Sequence, residues 1–266
     1  MSRLTASNAE PLPPYPVRPL LVIGDVHGCL GLLDELLDKL AEDPVIATGA
    51  ETDLVFVGDL VDRGPDTAGT LDRVQFLQSN WHGTCTVLLG NHEVMMMRFL
   101  DGEDPQGRWL THGGRECLDS YGIEVPLDLA ALDEDAMLDV ADNAKDAIGP
   151  DCLDWLRSLP RMHRSGDVVV VHAAFDRTKD DDDQDERDLT WGNRVFMKGN
   201  HPKPPWVVHG HVITRPATVK GHRIAVDSGA YLSGDLSCAV IVPGEMPRFV
   251  STDDNPELDY SASTFR

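Results

Sequence analysis

Short apolar segments alternate with amphipathic segments along the N-terminal half of the chain. Residues 20–23 are wholly apolar, and Leu33, Leu37 and Leu40 then recur at the spacing of one helical face. The same succession occurs twice more, with apolar segments at 54–57 and 86–89, each followed by a polar loop and a helical pattern. A repeated strand, loop and helix predicts an α/β fold with a largely parallel sheet covered by helices.

The remainder of the chain predicts one helical segment and then more strands. Residues 107–160 are acidic and helix-compatible without a clear strand, so we interpret them as a helical insertion covering one end of the sheet. Strand patterns return at 168–171, 206–208, 224–226 and 239–242, and the acidic run 179–183 between them is expected to be solvated and mobile. We expect a disordered polar arm over 1–18, a folded domain over 19–250 and a polar tail over 251–266.

The charge of the chain narrows the possible partners. A formal net charge of −22 disfavours binding to nucleic acid and to anionic membranes. An anionic substrate would need local positive charge, which bound metal ions could supply. The five cysteines form no CxxC pair, no signal peptide is visible, and no apolar run reaches the length of a membrane span, so we predict a cytoplasmic protein with reduced thiols.

Side chains with metal-binding chemistry follow strand after strand. They are Asp25, His27, Asp59, Asp62, Asn91, His92, His172, His209 and His211. The carboxyl ends of the strands in an open α/β sheet form one binding crevice, so these side chains should meet there. A single Asp after a strand is usually a helix N-cap, but capping does not explain ligands at the ends of successive strands.

The chemistry of this set fits two metal ions. Oxygen and nitrogen ligands without thiolates suit manganese, iron, zinc, cobalt or nickel. Asp25 and His27 are two residues apart and can face one ion, while the central Asp59 could bridge two. Two ions ~3.5–4 Å apart polarise a phosphoryl oxygen and lower the pKa of a bound water, which is the chemistry of phosphoester hydrolysis.

Three of the loops read GDVHG, GDLVDRG and GNHE, and the later segments VHAA, VHGH and DSGA follow in order. This set resembles the motifs of the bacterial-type serine/threonine phosphoprotein phosphatase family, which are calcineurin-like metallophosphoesterases. The resemblance covers Pro19 to Val242. It implies a calcineurin-like sandwich of two mixed β-sheets flanked by helices, and hydrolysis of phosphate monoesters by direct attack of a metal-bridging hydroxide.

The resemblance also implies a role for each site residue. One divalent ion, manganese being the most expected, would be held by Asp25, His27 and Asp59, and a second by Asp59, Asn91, His172 and His211. His92 would be the general acid and Asp62 would orient it. Arg63 and Asn91 would contact the substrate phosphate.

Two departures from the family pattern affect the site. Ala174 stands where the family has glycine after His-Ala. Asn193 occupies the spacing of a second phosphate-binding arginine and Arg194 follows it, so either residue could fill that position. His209 and His211 are both candidate ligands, and the Gly-His pattern of the family favours His211.

Several functions are compatible with these residues. The resemblance favours a protein serine/threonine phosphatase acting on phosphoproteins. A symmetrical diadenosine tetraphosphate hydrolase is the main alternative, although its polyanionic substrate would want basic and aromatic residues around the metals, and this acidic chain offers few. A small-molecule phosphoesterase is also compatible. A catalytically inactive interaction scaffold would not need His92 and Asp62 beside a complete ligand set.

Overall fold

A computed structural model describes residues 11–129 and 132–253 and contains two five-stranded sheets. The strands are β1 (Leu20–Ile23), β2 (Asp53–Phe56), β3 (Cys85–Val87), β4 (Met162–Ser165), β5 (Val168–Val171), β6 (Trp206–His209), β7 (Thr218–Lys220), β8 (Arg223–Ala225), β9 (Ser237–Ile241) and β10 (Arg248–Ser251). The first sheet has the order β10-β9-β1-β2-β3 and the second β4-β5-β6-β8-β7. Both are mixed, because β1-β2-β3 and β5-β6-β8 run parallel while their flanking strands run antiparallel.

The two sheets pack face to face, and the central strands are buried on both sides. Leu20 and Val22 of β1 share the inter-sheet core with Val168 and Val170 of β5. The alternate residue Leu21 points the other way, into the core beneath the helices. Successive side chains of a strand face opposite sides of the sheet, so a strand covered on both sides must be apolar throughout. This explains the continuous apolar runs and confirms the predicted sandwich.

Helices cover the outer faces of both sheets. They are α1 (Leu30–Ala41), α2 (Pro44–Ala47), α3 (Thr67–Asn80), α4 (Asn91–Leu100), α5 (Gly114–Ser120), α6 (Glu134–Ile148), α7 (Pro150–Ser158), α8 (Glu186–Trp191), α9 (Arg194–Lys198) and α10 (Ala230–Ser233). Short 3₁₀ helices occupy Trp109–His112 and Asp181–Asp183. In the described residues no helix is long and apolar enough to cross a bilayer.

The helices within 107–160 lie over the outer face of the first sheet. Trp109, Leu118 and Leu156 join the same core as Leu21 and Ile23. The prediction places this segment over one end of the sheet. The apolar faces of its helices extend the core that α1 and α3 begin, because that face of the sheet needs cover along its length, and Trp109 also reaches Asp62 in the loop after β2.

The described part of the predicted disordered arm, residues 11–18, is held against the second sheet. The backbone N–H of Tyr15 donates to Asp167 Oδ1 at 2.6 Å, and that of Val17 donates to Ser165 Oγ at 3.0 Å. The indole of Trp206 donates to the carbonyl of Leu12. These bonds explain how a proline-rich segment without regular structure is fixed. Residues 1–10 of the arm and 254–266 of the tail lie outside the described part of the chain.

Candidate metal centre and active site

The predicted site residues come together at one end of the sandwich, where the parallel strands of both sheets finish. Asp25 follows β1, Asp59 follows β2 and Asn91 follows β3 in the first sheet. His172 follows β5 and His211 follows β6 in the second. Because these strands point the same way within each sheet, their carboxyl ends deliver side chains from both sheets to one cleft.

The backbone of this cleft is conformationally unusual. Among the described non-glycine residues, positive φ angles occur at His27 (48°), Asp59 (51°), Asp62 (74°), Arg63 (68°) and His211 (66°), and at one residue outside the site. Such angles are uncommon for residues with a Cβ atom and cost free energy. Their concentration at the strand ends indicates that the fold holds these side chains in positions set by the site.

A first group of possible metal ligands contains His27, Asp59 and His92, whose ligand atoms all lie within 4.8 Å of one another. His27 Nε2 is 3.7 Å from Asp59 Oδ2. His27 Nδ1 is 2.8 Å from the carbonyl oxygen of Val61, so this nitrogen carries the proton and donates. Nε2 is then the unprotonated nitrogen that faces the cleft, which is the form a metal requires.

A second group contains Asp59, His172 and His211. Asn91 Oδ1 lies 3.0 Å from His172 Nε2 and 2.9 Å from His211 Nδ1. Asp59 Oδ2 is 3.4 Å from His172 Nε2. His172 Nδ1 lies 3.0 Å from the carbonyl of Val57, which fixes its tautomer in the same way. Asp59 belongs to both groups, so its position fits a carboxylate shared by two ions.

Asp25 lies at this edge beside the two ligand groups. Among the described residues it belongs to neither group of converging ligand atoms. Its two carboxylate oxygens instead accept from the backbone N–H of His211 at 3.2 and 3.0 Å. Burial, followed by the charges of Asp227 and Asp59, raises the pKa of Asp25 well above its ordinary value. A bound cation would relieve this accumulation of carboxylates.

Two glycines allow the backbone to approach the carboxylates closely. A Cβ atom on Gly90 would collide with Asp59 Oδ1 and with the backbone nitrogen of Asp59. A Cβ atom on Gly210 would collide with Asp25 Oδ1. In contrast, the methyl group of Ala174, where the family has glycine, is fully buried in an apolar cluster and is accommodated.

The ring of His92 is held by a buried chain of hydrogen bonds. His92 Nδ1 is 2.6 Å from Asp62 Oδ2, and Trp109 Nε1 donates to both carboxylate oxygens of Asp62 at 2.9 Å. The backbone N–H of His92 donates to Asp59 Oδ1 at 2.9 Å. Asp62 therefore holds the His92 ring through Nδ1, which leaves His92 Nε2 for the cleft.

Burial keeps the site histidines neutral. It lowers the pKa of His172 to about 3 and that of His211 and His92 to about 4. Neutral imidazole is the form that binds metal. An anionic phosphate beside His92 would raise its pKa, because an opposite charge favours the protonated ring.

The cleft also carries a cation stacked on an aromatic ring. Arg63 Nη1 is 3.2 Å from His27 Nε2, and the Arg63 guanidinium lies 4.5 Å from the centre of the Tyr231 ring. Tyr231 in turn packs edge-on against His27 at 5.2 Å. Arg63 is therefore at the candidate metal ligands, where a phosphate oxygen would lie.

Asn193 and Arg194 have different surroundings. The side chain of Asn193 caps α9, since its Oδ1 accepts from the Phe196 N–H at 2.8 Å and its Nδ2 donates to Asp188 at 2.8 Å. Arg194 is exposed and borders a groove of ≈ 230 Å³ that reaches His211. We call this the Trp191 groove; its lining is Trp191, Gly192, Asn193, Arg194, Met197, Lys198, His211 and Val212.

His209 lies away from both ligand groups. Its ring packs edge-on against Phe196 at 5.3 Å, on the outer face of the second sheet. Its Nδ1 is 2.8 Å from the carbonyl of Gly210. Of the two histidines in VHGH, the structure therefore brings only His211 to the cleft.

Four further residues support the site and had no predicted role. Glu93 accepts hydrogen bonds from the backbone N–H groups of Asp59 and Gly90, and so joins two of the loops. The other three supporting residues are Asp227, Trp109 and Tyr231. Glu93 lies in the motif GNHE and Asp227 in the motif DSGA, so the sequence contained a signal that these two belong to the site. Trp109 and Tyr231 come from segments whose position in space the sequence pattern did not give.

Known proteins resemble this chain in sequence and in fold. A family model described as calcineurin-like phosphoesterase matches residues 18–222. The symmetrical bis(5'-nucleosyl)-tetraphosphatase of Dechloromonas aromatica is 30% identical over 156 residues, which are 58% of this chain and 42% of that protein. Serine/threonine-protein phosphatase 1 of Salmonella typhimurium is 37% identical over 97 residues, 36% of this chain and 39% of that protein.

A solved structure agrees with the fold. The cold-active protein-tyrosine phosphatase of a psychrophile Shewanella species superposes with a TM-score of 0.54 at 18% identity, over 93% of this chain and 85% of that chain. The chain matches less than half of the length of the two curated relatives. The family model covers most of the chain, and the two-sheet sandwich and the strand-end ligands agree with it. The chain belongs to the calcineurin-like phosphoesterase family.

Proposed function

We propose that this protein is a metal-dependent phosphoester hydrolase with two metal ions at the strand ends. The observation that carries the proposal is the place of Asp59, which shares its carboxylate between two groups of histidine ligands while its other oxygen accepts from the His92 backbone. Asp25 and His27 would hold one ion with Asp59, and Asn91, His172 and His211 the other. When bound, the ions would polarise the phosphoryl oxygens and lower the pKa of a water molecule.

The remaining roles belong to side chains of the protein. Arg63 would bind a phosphate oxygen, since a guanidinium matches the geometry of phosphate and lies beside His27. His92, oriented by Asp62, would give the proton on Nε2 to the oxygen of the leaving group as the bond from phosphorus to that oxygen breaks. Asn91, whose amide lies between His172 and His211, would be placed to contact both metal and phosphate.

Two substrate classes have specific support. A protein serine/threonine phosphatase agrees with the motif set and with the relative from Salmonella typhimurium. A symmetrical dinucleoside tetraphosphatase agrees with the relative from Dechloromonas aromatica. The scarcity of basic and aromatic residues had argued against the second class, but Arg63 with Tyr231 lies at the ligands and Trp191 with Arg194 borders the adjoining groove.

A parallel assay tests the proposal. Chelator-dialysed protein is reconstituted with manganese, iron, zinc, cobalt or nickel in turn and given p-nitrophenyl phosphate, a phosphoserine peptide and diadenosine tetraphosphate. We expect metal-dependent hydrolysis of p-nitrophenyl phosphate, and the ratio of kcat/KM for the other two substrates identifies the preferred class. No hydrolysis of any of the three with any of the five candidate metals would contradict the proposal.

A further inference from the structure

The Trp191 groove has a charge that contrasts with the rest of the chain. The sequence contains 45 acidic and 23 basic residues. Yet among the described residues that line the groove there are two cations, Arg194 and Lys198, and neither Asp nor Glu. The nearest carboxylate in the sequence, that of Asp188, is bonded to Asn193 and is not part of the lining. The groove is therefore a locally positive surface on an acidic protein.

The two cations are available to a ligand. Arg194 and Lys198 are four residues apart on α9, so their side chains lie on one face of the helix. Within residues 11–129 and 132–253 neither forms a hydrogen bond or an ion pair with another residue, and both are exposed. On so acidic a protein, a long cationic side chain usually has a carboxylate partner within reach. Arg194 and Lys198 are adjacent cations that both lack such a partner, which indicates a position that binds an anion.

The same groove offers an apolar surface. Trp191 ends α8 and leaves 39% of its surface exposed, and Val212 leaves 41% of its surface exposed. Met197 also belongs to the lining. An exposed indole beside cations is suited to an aromatic ring that carries negative charge, because the ring stacks on the indole while its phosphate meets the cations.

The groove begins at the candidate metal centre. His211 belongs both to the second ligand group and to the lining of the groove. A phosphoester whose reacting phosphate lies on the ligands would therefore extend into the groove on one side. A volume of ≈ 230 Å³ is below the ~300–1,000 Å³ of a complete small-molecule pocket, so the groove holds only part of a substrate.

We propose that the Trp191 groove binds the leaving group of the substrate and selects a nucleoside phosphate. Arg194 and Lys198 bind a phosphate beyond the reacting one, and Trp191 stacks on the base. The inference rests on the proposed function and adds to it the chemical class of the leaving group. In the reaction, the oxygen of a water molecule bonds to the reacting phosphorus, and the bond to the bridging oxygen of the leaving nucleoside phosphate breaks.

Direct binding tests the groove without requiring turnover. ADP is titrated calorimetrically into manganese-loaded wild-type protein and into the double variant Arg194→Ala, Lys198→Ala, with inorganic phosphate as a second probe. Hydrogen bonds to charged groups predict that the variant weakens ADP binding at least about tenfold more than it weakens phosphate binding. The matched control is Arg187→Ala, because Arg187 is an exposed arginine of α8 that lies outside the lining. This control should change neither the affinity for ADP nor that for phosphate.

Turnover gives the second readout. The double variant should lose about tenfold more in kcat/KM for diadenosine tetraphosphate than for p-nitrophenyl phosphate, and Trp191→Ala should show the same preference. The proposal would be overturned if the double variant lost equal affinity for ADP and for phosphate, or if the wild type bound ADP no more tightly than phosphate. It would also be overturned if the loss in kcat/KM were confined to an acidic phosphopeptide. Absence of metal-dependent hydrolysis contradicts the proposed function instead, and the ADP titration still decides the groove.

Discussion

The indole nitrogen of Trp109 donates to both carboxylate oxygens of Asp62 at 2.9 Å, and the same carboxylate holds His92. Trp109 belongs to the helical insertion, so the insertion reaches the candidate acid through one buried hydrogen-bonding chain. Burial raises the pKa of Asp62 well above its ordinary value, and the hydrogen bonds from Trp109 oppose that rise. Trp109 therefore favours the charged carboxylate that orients His92.

Trp109→Phe removes this N–H while keeping a buried aromatic ring. We expect kcat to fall about tenfold, in line with the loss of a hydrogen bond to a charged group, with little change in metal content. The loss should be larger for a phosphoserine peptide than for p-nitrophenyl phosphate, since the alkoxide leaving group needs more protonation. Trp206→Phe is the control, because its indole donates to Leu12 away from the site. If kcat fell equally in the two variants, the role of Trp109 would be limited to packing.

His92→Asn tests the general acid directly. We expect kcat for the phosphoserine peptide to fall by about 10²–10⁴, the range of general acid catalysis, and to fall less for p-nitrophenyl phosphate. Metal content should stay at the wild-type value, although His92 lies within 4.8 Å of His27 and Asp59 in the first ligand group. Metal analysis of the purified variant decides between the two roles: a lost ion would make His92 a ligand.

The carboxylates of the metal-free site predict how stability depends on pH. Burial raises the pKa of Asp25 well above its ordinary value and that of Asp227 to about 7. Where only these carboxyl groups still titrate, the folded state binds more protons than the unfolded chain. Below about pH 6.5 the buried neutral histidines His92, His172 and His211 act in the opposite direction, because the unfolded chain protonates them. The free energy of unfolding of the metal-free protein should therefore fall as the pH rises from about 6.5 to about 8.

Thermal melts with and without manganese measure this effect. The increase in Tm on adding metal should be larger at pH 8 than at pH 5 by about 5 °C or more, given ~2–4 °C per kcal/mol for a chain of this size. Asp227→Asn removes one raised carboxyl group and should flatten the pH dependence of the metal-free melt. A metal-free wild type that gains stability between pH 6.5 and pH 8 would show that these carboxylates are not the controlling groups.

Much of the fold was predictable because buried parallel strands have a simple pattern. The run over 168–171 is β5 residue for residue, and 20–23 is β1. The strands that were missed, β4, β7 and β10, are short and partly exposed at or near sheet edges, with sequences MHRS, TVK and RFVS. Such strands form through pairing with a neighbour, and their own residues carry little periodic signal.

The acidic run shows another limit of the pattern. It was expected to be a mobile solvated loop, but Asp181, within a short 3₁₀ helix, pairs with two guanidinium nitrogens of Arg164, Nε and Nη2, at 2.5 Å. Asp185 caps α8. Local sequence could not show this, because Arg164 comes from a strand that the pattern missed.

Within the site, local patterns gave the residues, and only the family resemblance gave their grouping into two ligand sets. The grouping of His27 with Asp59, and of Asn91 with His172 and His211, depends on two sheets meeting at one end. The bond from Asp25 to the His211 backbone likewise joins residues far apart in the sequence. Contacts of this kind arise from topology, which no local pattern contains.

Metal content and activity, measured on the same samples, test most directly whether two metal ions around Asp59 are required for turnover. Wild-type protein, Asp59→Asn and the exposed control Asp38→Asn are dialysed against chelator, reloaded with manganese and assayed on p-nitrophenyl phosphate. We expect two ions per active wild-type chain, activity that disappears with the metal and returns with it, and loss of both metal and turnover in Asp59→Asn alone. Full activity in the metal-free wild type would contradict it.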